Sequence, residues 1–594
     1  MNLSFARFIA PLLLGAAVLN AFDADALALT GAKSRKMHNG LGPFDITLDT
    51  AAALTGNVTV EPRVIGTGHV LVFSFDQAVT VAGIATVTNA SGPVGAAGIP
   101  VILPSGTEVS VTLTGIPDNK RVTVSLNGVN GSFNTSVSLG FLVGDENGSR
   151  SIDGTDVTDV KSNTALPPTA ATFRFDPNIN GAINAADLAT IKARKNRVLE
   201  SGVPVVCGGN IRCVGVGKQY TTIQAAVTAA LAGDTVLVDD GTYVGFRATR
   251  SGTAVNRITI KAAGTSAIIN SPNSTGDEGI TISNTSYITI EGFTVTGISH
   301  YGMGAHDATS DNPMRGVQIL NNTVSGSGSV NIYLSQLADS LIEGNSASGS
   351  GTSHGIYLAN GGADNTILRG NRCFNNFKNG IHLNGDASIA GGDALHKNIT
   401  FDGNIIYNNT DNGMDLDGVQ DSLFINNVFY GNGRSAIRVF QIDAAAGAKN
   451  LRIINNTIAS TGGWAVKLSE DQGGHVIFNN ILFGTSGSIS VGSATSAVSN
   501  NNITNNKFSA DNDNSTITLA AWRTATGEDV ASQNSTAAAI FKNVGANDYT
   551  LATVSIARDA GLATFATFNA PAKDALGVAR PVAGLFDIGA YETP

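Results

Sequence analysis

The chain has 594 residues, more than a single hydrophobic core usually serves, so the sequence predicts two or more domains. Only 14% of the residues are charged, and Gly, Thr, Ser and Asn are abundant, which favours an extended β architecture over a helical enzyme. Thirty-six basic and 46 acidic side chains give a formal charge of −10 with no Lys/Arg-rich block, which argues against nucleic-acid binding. An anionic substrate is not excluded, because a local basic patch could receive it.

Residues 1–28 combine a basic start (MNLSFAR), a short apolar run (FIAPLLLGAAVL) and a small-residue region (NAFDADALA). This order is typical of a Sec-type signal peptide, with Ala26 or Ala28 as the last residue removed. The apolar run is short for a bilayer span and no later stretch is a better candidate, so a retained anchor is less favoured. We therefore expect an exported protein that is extracellular, periplasmic or at the cell surface, without a membrane span in the mature chain.

Residues 30–143 carry short alternating strands separated by Gly, Pro and Asn turns, for example EVSVTLTGI and KRVTVSLNGV. Strands at this regular spacing predict a small β-sandwich. It contains no catalytic constellation, and Met37-His38 is interpreted as packing or surface rather than a ligand pair. After it, Cys207 and Cys213 lie six residues apart and could form a disulfide bond, which would leave Cys373 as a buried free thiol.

Two related segments follow the sandwich, GDENGSRSIDGTDVTDV and FDPNINGAINAADLATI. Each places oxygen-bearing side chains at loop positions 1, 3, 5, 9 and 12, namely Asp145, Asn147, Ser149, Asp153 and Asp156, then Asp176, Asn178, Asn180, Asn184 and Asp187. Such spacing wraps six to eight oxygens round a hard cation such as Ca²⁺ before a helix begins. Gly181 stands at the sharp-turn position of the second loop, whereas the first has Arg150 there, so we expect weaker binding in the first loop.

This duplicated loop–helix resembles a type I dockerin over 144–199, with Asp rather than Glu at position 12. The resemblance implies Ca²⁺ binding and a cohesin-like partner. However, the module is internal, and Gly154-Thr155 and Ala185-Ala186 occupy the positions linked to recognition. A calcium-stapled spacer is an equally good interpretation.

From residue 205 to 594 we expect one further domain, and over about 208–500 the sequence has a repeat of about 25 residues, marked by ILNNTV, IEGNSA, LRGNRC, INNVFY and similar segments. A second short strand follows most of them, such as GIYL, GIHL and GMDL. Each repeat therefore predicts one coil of a solenoid, with Asn stacked at equivalent turns and able to form amide ladders. The pattern resembles the right-handed parallel β-helix of pectate-lyase-like and NosD-like proteins. The opening YTTIQAAV and the closing FDIGAYE (586–592) resemble the capping segments of secreted members.

Strand alternation points Ile, Leu and Val inward and leaves one outward side chain per coil. These outward residues are Tyr333, Tyr357, His382, Asp415, Arg438 and Lys467. At ~4.8 Å per rung the five steps make a column of roughly 24 Å, long enough for several sugar units. Asn384 and Asp417 point outward further along the same strands. A solvated face with ordinary charge pairing is the alternative, but three consecutive rungs carry charge in a chain that is poor in charge.

Two aromatic side chains leading to mixed charges suit an acidic polysaccharide, and β-helix polysaccharide lyases use Lys or Arg bases, often with Ca²⁺. We predict eliminative cleavage of a uronide, with the substrate carboxylate neutralised by Ca²⁺ or Arg. Lys467 is the predicted base, Arg438 the carboxylate ligand, and His382 a competing proton donor or acceptor. Tyr333, Tyr357 and Asn384 would bind substrate, and Asp415, Asp417 and Asp386 could hold Ca²⁺ in the groove.

Two alternatives remain at this point. NNTDNGMDLDG is faintly similar to the polygalacturonase family of glycoside hydrolases, in which Asp415 and Asp417 could act as an inverting pair, but that family's later His and Arg-x-Lys motifs are missing. The other alternative is a non-catalytic carbohydrate-binding or surface-structural β-helix. A monomer is expected in every case.

Overall fold

The computed structural model describes residues 27–593 apart from 91, 203–206, 265, 310 and 583. Most of the predicted signal peptide, residues 1–26, lies outside the described residues. Nowhere in the described ranges is there a helix with the length and apolar character needed to cross a bilayer. The predicted disulfide joins Cys207 to Cys213, and Cys373 is a buried free thiol.

The N-terminal domain is a β-sandwich, as predicted. One sheet contains Leu29–Met37, Pro43–Leu48, His69–Phe75, Ala96–Ala97, Val101–Ile102 and Glu108–Thr114. The other contains Thr59–Glu61, Ile84–Asn89, Gly92–Pro93, Lys120–Val129 and Phe133–Phe141. Alternate residues of both sheets, including Leu71, Phe73 and Val111, bury one shared core.

The two predicted loop–helix units follow, with helices α1 (Gly154–Asn163) and α2 (Ala185–Lys192) and a 3₁₀ turn at Phe173–Phe175. Each helix is capped at its N-terminus by the residue in loop position 9, Asp153 or Asn184, whose side chain accepts a hydrogen bond from the first turn. The position-12 aspartate bonds back to the cap, which completes a capping box.

The rest of the chain is a right-handed parallel β-helix of about 12 coils. The first sheet contains Ile211–Val214, Thr235–Val238, Ile258–Ala262, Ile288–Glu291, Gln318–Leu320, Leu341–Glu343, Ile367–Arg369, Thr400–Asp402, Leu423–Ile425, Arg452–Ile454, His475–Phe478 and Ala497–Asn500. The second contains Gly241–Val244, Ala267–Ser271, Thr294–Thr296, Thr323–Ser325, Ser346–Ser348, Arg372–Phe374, Ile405–Tyr407, Val428–Tyr430, Thr457–Ile458, Ile481–Leu482, Ile503–Thr504 and Gln533–Asn534.

The third sheet is called the groove sheet below. It contains Phe246–Ala248, Ile280–Ser283, Met303–His306, Ile332–Ala338, Ile356–Asp364, Ile381–Gly385, Met414–Asp417, Ile437–Phe440, Trp464–Leu468, Gly487–Val491 and Phe508–Ser509, with Met314–Arg315 beside its fourth strand. Short pairs outside the three sheets are His396–Lys397 with Val419–Gln420, Phe541–Asn543 with Asp548–Leu551, and Thr564–Phe565 with Phe568–Asn569.

One end of the β-helix is covered as the sequence predicts, and the other end is not. Helix α3 (Ile223–Ala229), from the predicted opening cap, packs its apolar face into the start of the core. The far end is covered by α4 (Leu519–Thr526), whose Trp522 stacks on Phe508 of the last groove strand. A short helix α5 (Ala537–Ile540) and a 3₁₀ turn (Val544–Ala546) follow. FDIGAYE does not close the end but lies along the flank, where Asn455 donates to the backbone oxygens of Asp587 and Gly589.

A continuous asparagine ladder fixes the same turn in eight successive coils. Its members are Asn322, Asn345, Asn371, Asn404, Asn427, Asn456, Asn480 and Asn502. Each side-chain oxygen accepts from the backbone N–H of the preceding member at 2.8–3.1 Å. The residue before each ladder member, for example Asn426 (φ 58) or Gly403 (φ 64), is left-handed. This explains why the repeat reads NN or GN, since Gly and Asn tolerate that backbone best.

Removing one ladder member should destabilise the β-helix. In Asn427→Ala, the buried backbone N–H and side-chain amide of Asn404 both lose their acceptor. Because unsatisfied buried polar groups cost about 1–3 kcal/mol each, we expect the free energy of unfolding to fall by at least ~2 kcal/mol in urea titrations. Asn256→Ala, at an exposed position, is the control and should change it by less than ~0.5 kcal/mol. Equal effects of both variants would contradict the ladder's role.

Candidate functional site

The six side chains of the predicted column lie in one file on the groove sheet. In successive parallel pairs, Tyr333 opposes Tyr357, Tyr357 opposes His382, His382 opposes Asp415, Asp415 opposes Arg438, and Arg438 opposes Lys467. The register on which the functional prediction depends is therefore present. We call these six residues the central column.

Aromatic rings at the start of the central column contact one another. Tyr333 stacks on Tyr301 with 4.4 Å between ring centroids and meets Tyr357 edge to face at 5.5 Å. Neighbouring rings therefore cover part of one another, because rungs one strand apart bring them into contact. Burial raises the pKa of Tyr357, so its phenol stays protonated and can donate.

His382 is held as a neutral base. Its Nδ1 lies 2.8 Å from the backbone oxygen of Asp415. Because a carbonyl oxygen only accepts, Nδ1 carries the proton and Nε2 keeps its lone pair. In the part of the chain that the structure describes, no group hydrogen-bonds to Nε2. Burial lowers the pKa of His382 from 6.5 to about 4, so the ring is un-ionised at neutral pH.

Asp415 and Arg438 form an ion pair one rung further along. The guanidinium Nη1 donates to the Asp415 carboxylate at 3.0 Å, and the Asn412 amide donates to the same oxygen at 3.1 Å. Burial raises the pKa of Asp415, while the Arg438 charge opposes that rise. The guanidinium also lies 4.1 Å from the centroid of Phe440. Arg438 is therefore oriented by two neighbours, Asp415 and Phe440, and its side chain remains about 31% exposed.

Lys467 forms an ion pair with a residue from outside its own strand. Its ammonium lies 2.7 Å from the carboxylate of Asp513, which also accepts from the indole N–H of Trp464. Asp513 follows the last strand of the groove sheet, so no repeat spacing could have located it. Lys467 would have to leave this ion pair and lose a proton before acting as a base.

A second file of polar side chains flanks the central column, two residues before each strand. It contains His354, Asn379, Asn412 and Ser435. The amide of Asn379 donates to Nδ1 of His354 at 3.2 Å, so His354 carries its proton on Nε2. Its ring stacks on His382 at 4.4 Å, and burial lowers its pKa to about 2. Sequence reasoning missed this file, although the residues stand at a fixed offset from GIYL, GIHL, GMDL and AIRV.

The predicted groove cation site is not assembled. Asp417 is fully buried, and its carboxylate accepts backbone N–H groups of 442–444 at 2.7–3.3 Å. Asp386 accepts from Ser388 in an exposed turn. Asn384, half-buried, opposes Asp417 in the register. Asp417 therefore holds a loop beside the groove. Because backbone amides occupy its carboxylate, Asp417 is poorly placed to act as the second carboxylate of an inverting hydrolase pair.

A charged cluster near the start of the groove sheet also escaped the sequence analysis. His306 contacts Glu278 at 2.8 Å through Nε2 and Asp307 at 2.7 Å through Nδ1, and Arg247 bonds Asp307 at 2.7 Å. The Glu278 hydrogen bond raises the pKa of His306. The charges of Arg247 and His306 are thus compensated by those of Glu278 and Asp307, as in a structural ion network.

The two loops before α1 and α2 have matching backbone geometry. Positions 4 and 6 are left-handed in both, with φ of 74° and 70° at Gly148 and Arg150, and 56° and 85° at Ile179 and Gly181. In both loops the amides of positions 5 and 6 donate to the position-1 aspartate. Burial raises the pKa of Asp145 to about 6 and also raises that of Asp187. Buried oxygens crowded in this way fit a hard cation such as Ca²⁺.

The comparisons with known proteins agree with the fold. A sequence profile described as "Periplasmic copper-binding protein (NosD)" matches residues 227–439, and one described as "Right handed beta helix region" matches 384–508. No curated protein matches the chain.

Among solved structures, the chain is similar to pectate lyase Pel9A, with 15% identity over 66% of this chain and 98% of that one and a TM-score of 0.46. It is similar to an alginate lyase from Paenibacillus sp. str. FPU-7, with 20% identity over 49% of this chain and 94% of that one and a TM-score of 0.30. The periplasmic alginate epimerase AlgG has 16% identity over 43% and 59% and a TM-score of 0.32.

The description of the first profile mentions copper, but the described residues do not form a matching ligand set. Across the residues that the structure describes, no three His, Cys, Asp or Glu side chains converge in a metal-binding arrangement. A cation in the two loops would therefore also need their Asn, Ser and backbone oxygens, which suits a hard cation better than copper.

Replacing Asp417 should loosen the loop that it holds. In Asp417→Ala the amides of 442–444 lose their acceptor, so we expect their hydrogen exchange to accelerate at least ~10-fold, measured by mass spectrometry. Asp277→Ala, at an exposed side chain of an earlier coil, is the control and should leave those amides unchanged. Unchanged exchange in Asp417→Ala would show that the loop is held by other contacts.

Proposed function

We propose that the groove binds an acidic polysaccharide and cleaves it by β-elimination at a uronate residue. The observation that carries this proposal is the neutral His382, whose Nδ1–H is held by the Asp415 backbone oxygen so that Nε2 keeps its lone pair. Its ring lies 4.8 Å from that of Tyr357, and Arg438 stands two rungs further along the central column. Elimination needs a base, an acid and a positive charge close together, and these three side chains supply them.

The elimination step uses each of these groups once. Arg438 binds the substrate carboxylate and stabilises the charge that develops on it when the C5 proton leaves. His382 Nε2 takes that proton, the electron pair forms the C4=C5 double bond, and the C4–O bond breaks. Tyr357, kept protonated by burial, donates its proton to the departing oxygen. His382 would then be an imidazolium next to the buried Asp415 carboxylate, 3.6 Å from Nδ1, which favours that charge.

Lys467 is assigned a binding role in place of the predicted base. Its ion pair with Asp513 leaves His382 as the better base, because His382 needs no prior deprotonation. Lys467 lies two rungs beyond Asp415. It would leave Asp513 and bind the carboxylate of the sugar next to the one that is cleaved. Rung spacing and sugar spacing are both about 5 Å, so successive rungs can meet successive residues of the chain.

Ca²⁺ is proposed for the two loop–helix units, which fit it, and not for Asp386, Asp415 and Asp417. Export is proposed from the predicted signal peptide, and the periplasmic description of the NosD profile supports it. A hydrolase is less well supported because Asp417 is occupied by backbone amides.

Substitution of His382 should abolish cleavage while leaving the fold intact. In His382→Asn we expect kcat/KM to fall ~10²–10⁴-fold, the usual contribution of a general base, with the ultraviolet absorbance of unsaturated products as the measurement on a panel of uronic-acid polysaccharides. Lys467→Ala is the matched comparison and should mainly raise KM. Saturated reducing ends would instead indicate a hydrolase, and retention without cleavage would indicate a binder.

The pH profile should have its acid limb near the pKa of His382. Because burial lowers that pKa to about 4, the base keeps its lone pair down to about pH 5, and kcat/KM should be flat from pH 7 to that point. Below pH 4 it should fall about tenfold per unit as Nε2 is protonated. An acid limb centred near 6.5 would contradict a buried, neutral His382.

A further inference from the structure

The apolar faces of α1 and α2 are covered by the rest of the chain. Val157 and Val160 of α1, and Leu188 and Ile191 of α2, are buried in one cluster. The same cluster contains Val428, Ile481 and Phe483 from the β-helix and Ile588 and Tyr591 from the C-terminal segment. These helix faces are therefore not free to receive another protein.

Three lysines of the module bind residues 571–593, the C-terminal segment. Lys161 donates to the backbone oxygen of Glu592 at 3.2 Å, and Lys195 donates to that of Leu576 at 2.6 Å. The Lys192 ammonium lies 5.3 Å from the ring centroid of Tyr591. Burial lowers the pKa of all three, to about 8 for Lys192, so this face is shielded from water.

The second loop is docked on the β-sandwich. His38 Nδ1 lies 2.9 Å from the carboxylate of Asp176, the position-1 ligand residue, and both side chains are fully buried. The Asn39 amide donates to the backbone oxygen of Asn180 at 2.9 Å, and the backbone N–H of Val64 donates to Pro177. A predicted calcium ligand is thus also the contact point between two domains.

The first loop holds a buried carboxyl group that lacks a hydrogen-bond partner in the described structure. Glu146, at position 2 of the first loop, is 3% exposed, and neither carboxylate oxygen has a hydrogen-bond partner in the described structure. Its charged neighbours are the Arg174 guanidinium, together with Asp156 and Asp145 of the first loop and Asp187 of the second. Burying a carboxylate in this way is costly unless a cation compensates it.

We infer that residues 144–199 are a calcium-dependent internal clamp whose docking partners are this chain's own β-sandwich and β-helix. The inference rests on calcium binding by the two loops and is independent of the reaction in the groove. Calcium fixes the loop that contacts His38 and neutralises the charge around Glu146, and the helices then hold the C-terminal segment against the β-helix flank. Docking and calcium binding stabilise each other by linkage.

Hydrogen exchange on the full chain tests the clamp. With EGTA in place of calcium chloride, we expect at least ~10-fold faster exchange at 38–39, 61–66 and 574–592, while the buried strands of the groove sheet stay protected. Exchange that changes only within the two loops, or nowhere, would overturn the proposal. Binding of a type I cohesin to the native, calcium-loaded chain would also overturn it.

A variant outside the calcium loops separates clamping from simple metal binding. His38→Gln removes the contact with Asp176 without removing a predicted ligand, and linkage predicts a ~10-fold loss of calcium affinity, measured by titration of the chelator-treated protein. Asp159→Asn, on α1 but outside the loop, is the control and should bind calcium like the parent. Unchanged affinity in His38→Gln would mean that docking and calcium binding are uncoupled.

Discussion

The spacing of one strand per coil is the constraint on which the rest of the structure depends. Backbone pairing sets each rung ~4.8 Å from the next, and the asparagine ladder prevents a coil from slipping at its turn. A slip by one residue would exchange inward Ile and Leu for the polar side chains between them. The ladder therefore protects the core and also the order of the central column, because both depend on the same register.

Charge in the groove is distributed in compensated pairs. Arg247 with Asp307, Arg438 with Asp415 and Lys467 with Asp513 each join a cation to a carboxylate. A groove of unpaired cations would attract any polyanion. A paired cation binds a ligand only when a ligand carboxylate takes the place of the protein carboxylate in the right geometry. The site therefore selects a ligand by where its carboxylates lie more than by the strength of the overall attraction. The same pairing lets the proposed reaction centre keep a neutral histidine among charged side chains.

The sequence allowed accurate prediction where structure is local or periodic. Alternation and the ~25-residue repeat were enough to predict the β-helix and the order of the side chains from Tyr333 to Lys467. Residues one repeat apart in sequence lie one rung apart along the helix axis. The Lys467–Asp513 pair, the amide cradle of Asp417 and the contacts of FDIGAYE could not be predicted in this way. Each depends on a segment outside the repeat, whose path is set by packing and not by spacing. The tautomer of His382 likewise depends on a backbone oxygen one coil away.

The place of the C-terminal segment has a consequence for assembly. Lys161 and Glu592 are 431 residues apart in sequence, yet they meet beneath α1. During synthesis the apolar faces of α1 and α2 stay uncovered until residues 571–593 have been made, because those residues belong to the cluster that buries them. The β-helix is then the template on which residues 144–199 and 571–593 come together, and until that junction closes these faces are open to aggregation and proteolysis.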